Sequence, residues 1–87
     1  MKHFAPPAFW DCYRRLPETV QSLADKNFDL LKNDPRHPSL RLKRIGRFWS
    51  VRVGVHHRAL GVDGPEGIVW FWIGSHAEYD ALLGRGR

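Results

Sequence analysis

The sequence predicts an α+β fold: an N-terminal helical hairpin packed on one face of a small, three- to four-stranded antiparallel sheet, followed by a short C-terminal helix. Three observations carry this. Residues 17–33 repeat apolar side chains with a helical period. From Leu40 onward the pattern switches to alternation, the period of strands. Helices come first and strands follow through short connections, which implies an antiparallel meander under a helical layer.

The elements follow in order. In PPAFWDCYRRL (6–16), Pro7 suits a first helical turn. Phe9, Tyr13 and Leu16 share a face at i, i+4, i+7. Pro17 ends that helix and opens the next, PETVQSLADKNFDLLKN. There Val20, Leu23, Ala24, Phe28 and Leu31 form the apolar stripe. Asp34-Pro35 stops it. Leu40 and Leu42 then alternate with Arg41 and Lys43 as a first strand. Gly46 marks a turn, residues 48–53 a second strand, Gly54 another turn, and residues 56–62 a third strand. The run Ile68–Ile73 is apolar on both faces, as expected of a central strand covered on both sides. It ends at Gly74-Ser75-His76. Ser75 and Glu78 have the spacing of a capping box, so a helix is expected from His76 to Leu83, with Gly84 as its stop.

At 87 residues one domain is expected, spanning 1–87 with an ordered core of about 5–84. Four Trp and five Phe give so short a chain large buried area per side chain. The lone Cys12 allows no intrachain disulfide and fits a reducing, cytoplasmic setting. No apolar run is long enough for a membrane span, and the N-terminus has no signal-peptide core. No metal-ligand spacing, phosphate-cradling glycine loop or Ser-His-Asp arrangement is present, so neither metal nor cofactor is expected.

Net charge is +5, but its distribution says more. Between Asp34 and Asp63 there is no acid. That interval holds Arg36, Arg41, Lys43, Arg44, Arg47, Arg52 and Arg58, with His37, His56 and His57. A basic centre of this density is the footprint of a polyanion or of an acidic protein partner; the alternative is a solvated basic face.

Within it, Arg52 and Arg58 lie in adjacent strands joined by a short turn, which brings them close across the ladder. Two rigidly held guanidinium groups suit a phosphate and the extra charge of its pentavalent transition state. Otherwise they are charges that keep an edge soluble. His57 points away from Arg58 by strand alternation. His76 begins the last helix beside the basic strands, where a neutral imidazole can take a proton; the alternative is a histidine that only closes the joint. Tyr79, three residues on, either stacks a base or packs in the core with its hydroxyl at the rim. RNA cleavage by the neighbouring 2′-OH requires only a base, an acid and cationic stabilisers, and these residues supply them.

The run LPETVQSLADKNFDLLKNDPRHPSLRLKRIGRFWSVRVGVHHRALG, followed by IVWFWIGSHAEYDALL, resembles the RelE/ParE superfamily of bacterial type II toxin–antitoxin toxins over about residues 9–83. The most telling pieces are DPRHPSL entering a basic strand, the SVRVG and HRAL strand pair, and the terminal IGSHAEYD. The resemblance implies a helical hairpin on an antiparallel sheet. It also implies a toxin that cuts mRNA on the ribosome without a metal. Arg58 would be the arginine of the third-strand motif, His76 the late histidine and Tyr79 the aromatic near it. Arg52 would stabilise the phosphate, and Lys43, Arg41, Arg44, Arg47 and His57 would bind RNA. Many relatives open with a β-strand, whereas MKHFA is short before Pro6, so at most a stub edge is expected. The resemblance leaves two other functions open: a non-enzymatic DNA gyrase inhibitor of ParE type, and a non-toxic binding or corepressor relative. Each implies a cognate acidic antitoxin, with ribosome and mRNA as further partners for the nuclease.

Overall fold

The computed structural model describes residues 2–84. In chain order it contains β1 (Lys2–Phe4), α1 (Pro7–Arg14), α2 (Glu18–Asn33), a 3-10 turn (Pro38–Leu40), β2 (Lys43–Ile45), β3 (Phe48–Val53), β4 (His57–Asp63), β5 (Gly67–Ser75) and α3 (His76–Leu82). The sheet order is β1-β5-β4-β3-β2. The α+β architecture is as expected, with both N-terminal helices on one sheet face.

Two expectations are corrected. The sheet has five strands and is mixed, not three or four and antiparallel, because β1 joins β5 in parallel. Three residues suffice because the strand is tethered. Lys2 sits against Gly67, where any Cβ would collide with the Lys2 carbonyl. His3 Nδ1 accepts a 3.1 Å hydrogen bond from Trp70 Nε1, and the two rings stack with centroids 6.2 Å apart.

The second correction concerns Leu40 and Leu42, read as the start of a strand. Pro38–Leu40 instead forms a single 3-10 turn, capped by His37, whose Nδ1 accepts from Ser39 N at 3.2 Å. Arg41 then adopts a left-handed φ of 47°, and the strand begins only at Lys43. Leu40, with no exposed area, anchors this turn in the core.

The hairpin is joined by polar contacts. Tyr13 Oη donates to Asp25 Oδ1 at 2.8 Å, and Gln21 Nε2 donates to the Tyr13 carbonyl at 3.0 Å. Beneath the helices Ala24, Leu31, Val51, Val53, Ala59, Ile68, Trp70 and Ile73 form the core. Burying a large apolar side chain of this kind contributes about 1.5–3 kcal/mol. The opposite face of β5 is only half covered. Phe71 and Trp72 are half-buried there, with Phe71 5.9 Å from the Phe48 ring.

At the end of β5 the capping box is present. Glu78 N donates to Ser75 Oγ at 3.1 Å, and Ser75 N donates to Glu78 Oε1 at 3.0 Å. Gly84 follows α3 with φ 68°. Of the C-terminal GRGR, expected to fray and to make a weak polyanion contact, residues 85–87 lie outside the described residues.

Candidate active site

The β3–β4 turn sets the site. Gly54 has φ 67°, and a side chain there would strike Leu23, so the turn stays tight. The register then places Arg52 directly opposite Arg58. Val51, Val53 and Ala59 face the helices, so alternation turns both arginines to the other face. Arg52 is braced by its own turn, Nε donating to the Gly54 carbonyl at 2.8 Å. The Arg58 guanidinium lies over the Tyr79 ring, Cζ 5.8 Å from the centroid. Its Nη1 is shielded from solvent and has no hydrogen-bond partner among the described residues. Burial lowers the Arg58 pKa from its ordinary value; Tyr79 and Asp80 oppose this, while Arg52 and Arg41 add to it. The guanidinium stays charged, so an orphan charged donor is held in place, a costly arrangement that an anion relieves.

The capping box brings α3 up to the same end of the sheet. His76 N donates to the His56 carbonyl at 2.7 Å. Its Nδ1 lies 3.0 Å from Asp80 Oδ2, one helical turn on. A carboxylate only accepts, so Nδ1 donates to it, and in the neutral ring Nε2 is the acceptor nitrogen. The His76 ring is 5.7 Å from the Tyr79 ring, so His76 and Arg58 are both neighbours of one tyrosine.

Tyr79 is 2% exposed, and its hydroxyl is 2.9 Å from the Oγ of Ser50, itself 1% exposed. No ring face is open for a nucleobase, so of the two readings of Tyr79 its burial fits core packing. The ring contacts both Arg58 and His76, and its hydroxyl is bonded to Ser50 of β3.

Lys43 is exposed and pairs with Ser50, on the arginine face. Arg41 is exposed, and its charge is felt at Arg58. Arg47 is exposed beside the β2–β3 turn, Cζ 5.9 Å from the Phe48 ring. Two of the expected RNA ligands lie elsewhere. His57 pairs with Val53 and Ser75, on the face opposite Arg58. Arg44 pairs with Trp49 on the helix side, covers its ring at 4.7 Å, and holds Asp63 with two bonds of 3.1 and 2.6 Å. Hydrogen bonds from Arg44 and Trp49 hold the Asp63 carboxyl below the usual range.

Two residues escaped the sequence reading. The one sequence signal for Asp80 is its i+4 spacing from His76. Ser50 gave no signal, since a serine alternating with apolar neighbours reads as a wet face. Among the described residues no group of three or more His, Cys, Asp or Glu is placed to hold a metal, and no helix is long and apolar enough to cross a membrane.

Comparison with known proteins bears on the family and the fold. The model of the ParE-like toxin domain family matches residues 18–81. No curated protein sequence matches the chain. Among solved structures, the chain is similar to the RelB–RelE antitoxin–toxin complex from Methanococcus jannaschii, with TM-score 0.70 and 12% identity over 92% of this chain and 98% of the other. It is similar to a YoeB/ParE toxin from Agrobacterium tumefaciens, with TM-score 0.65 and 18% identity over 87% and 99%. It also resembles a mutant of the E. coli toxin RelE in the free state, with TM-score 0.65 and 15% identity over 97% and 90%. The family match and the shared fold define a RelE/ParE-type toxin domain. The chain belongs to the ParE-like toxin family.

Proposed function

We propose that the chain is the toxin of a toxin–antitoxin pair and acts as a ribosome-dependent, metal-independent mRNA endonuclease. The observation that carries this is the His76–Asp80 pair, with its free Nε2, sharing Tyr79 with the orphan guanidinium of Arg58. Nε2 takes the proton of a ribose 2′-OH. The oxygen attacks the adjacent phosphorus, forming a new P–O bond. Arg58 and Arg52 stabilise the charge that builds on the phosphoryl oxygens. The bond to the 5′ oxygen breaks, and that oxygen leaves with a proton from water or from the imidazolium just formed. The products are a 2′,3′-cyclic phosphate and a 5′-OH. Lys43 and Arg41 hold the flanking backbone.

An acidic antitoxin covers the arginine face and the half-buried Phe48 and Phe71, so its association rate falls with ionic strength. The family description favours a second reading, a ParE-type gyrase inhibitor. A purified translation reaction separates the two. New mRNA 5′ ends that require ribosomes and vanish in Arg58→Ala support the nuclease. Intact mRNA together with inhibited gyrase supercoiling supports the other.

A further inference from the structure

A second concavity lies at the β2 edge of the sheet, outside the His76 site. It is an open cup of about 590 Å³, whose lining includes Arg36, His37, Pro38, Arg41, Leu42 and Trp49. Its wall is rigid. Trp49 Nε1 donates to Asp63 at 2.9 Å, and Arg44 covers the ring while gripping the same carboxylate. Leu42 and the prolines extend the apolar surface, which suits a planar ring better than a bare phosphate.

The side-chain polar groups left unengaged in the cup share one property: all are donors. The guanidinium groups of Arg36 and Arg41 have no acceptor. His37 Nδ1 accepts from Ser39 N and is 2.8 Å from Ser39 Oγ. Its proton therefore sits on Nε2, which can only donate. The Trp49 N–H is already engaged. Arg41 joins the cup to the His76 site, since it lines one and its charge acts on Arg58 in the other. Its left-handed backbone, unusual for a residue with a Cβ, turns the chain at that junction.

We infer that this cup binds one flanking nucleotide of the RNA substrate and selects keto bases, guanine or uracil, over amino bases. The O6 of guanine or the O4 of uracil accepts from these donors, whereas the N6 amine of adenine or the N4 amine of cytosine at the same position meets another donor. The base lies against the Leu42 and Trp49 wall, and the strand rounds the short β2 edge past Arg41 and Lys43. This rests on the nuclease reading for its setting but not for its binding chemistry.

The test is NMR titration of the full chain carrying His76→Ala, following the Trp49 indole N–H with each of the four nucleoside 5′-monophosphates and with a poly-glutamate peptide. GMP and UMP should shift the signal with half-saturation at least about fivefold lower than AMP and CMP. Arg36→Ala and His37→Phe should erase the difference. Equal response to all four, no response, or a response to the acidic peptide alone overturns the inference. Mapped mRNA cuts separate it from the nuclease reading. If the protein cuts with no preference between keto and amino bases and the titration is flat, the cup fails and the nuclease stands. If it never cuts yet discriminates the nucleotides, the nuclease fails and the cup stands.

Discussion

Arg52 and Arg58 face each other as direct partners across the β3–β4 ladder, two like charges at a position where opposite charges would stabilise the sheet. One is braced by Gly54, and the other has a shielded nitrogen without a partner among the described residues. Such a pair lowers stability unless an anion sits between its members. Arg58→Met should therefore raise stability by about 1 kcal/mol in urea denaturation at low salt while abolishing toxicity. Phosphate should raise the Tm of the wild type and not of the variant.

The Ser50–Tyr79 bond should behave as a closed pair. Either Tyr79→Phe or Ser50→Ala leaves one buried oxygen unmatched and should lower stability by about 1–2 kcal/mol. The double variant should recover part of that loss, with a coupling of about 0.5–1 kcal/mol in a double-mutant cycle. Tyr79→Phe should also slow the toxin by releasing the tether on Arg58, without making it inactive. Equal activity in wild type and Tyr79→Phe would rule out that tether.

Arg41 separates strain from charge. A left-handed conformation costs a non-glycine residue about 1 kcal/mol or more. Arg41→Gly relieves that strain, so it should keep or raise the Tm while weakening RNA binding and its salt dependence. Arg41→Ala should lose the same binding without the gain in Tm. A fall in Tm for the glycine variant would show that the side chain, not the backbone, holds this turn.

Two groups shape the acid side of the pH profile, in separate windows. Hydrogen bonds from Ser75 hold Glu78 below its ordinary pKa. Its stabilisation of α3 is complete above the unfolded value and is lost as pH falls through the depressed folded value. Glu78→Gln should flatten the acid limb below the unfolded value of 4.5. His3 is lowered mainly by burial, with the N-terminus and Lys32 adding to it. Its contribution is complete above the unfolded value near 6.5 and is lost as pH falls from there through the lowered folded value. Protonation turns Nδ1 into a donor facing the Trp70 N–H. Thermal melts between pH 4 and 7 should show this limb in the wild type and lose it in His3→Gln.

Much of the architecture was legible because period and punctuation agreed. The α2 stripe, the Gly54 turn and the Ser75–Glu78 box each followed from local chemistry. The arginine pair followed from turn length and alternation. Contacts between residues distant in the chain were not legible. His3 finds Trp70, and Gly67 admits Lys2, only once the sheet has formed. Leu40 mimicked strand alternation because a buried anchor before a left-handed residue leaves the same apolar mark. Arg44 and Lys43 read alike in sequence, but strand pairing puts one on Asp63 and the other on the open face.

The rate of cutting of a ribosome-bound mRNA, measured under single-turnover conditions for wild type and His76→Ala, tests the His76–Asp80 base most directly. Removing the base should slow cutting by about 100-fold or more, with an unchanged Tm and a 2′,3′-cyclic phosphate on the wild-type product. Asp80→Asn should fall between the two. Cutting by His76→Ala at the wild-type rate would contradict the base assignment and leave His76 as the closure of a strand-to-helix joint.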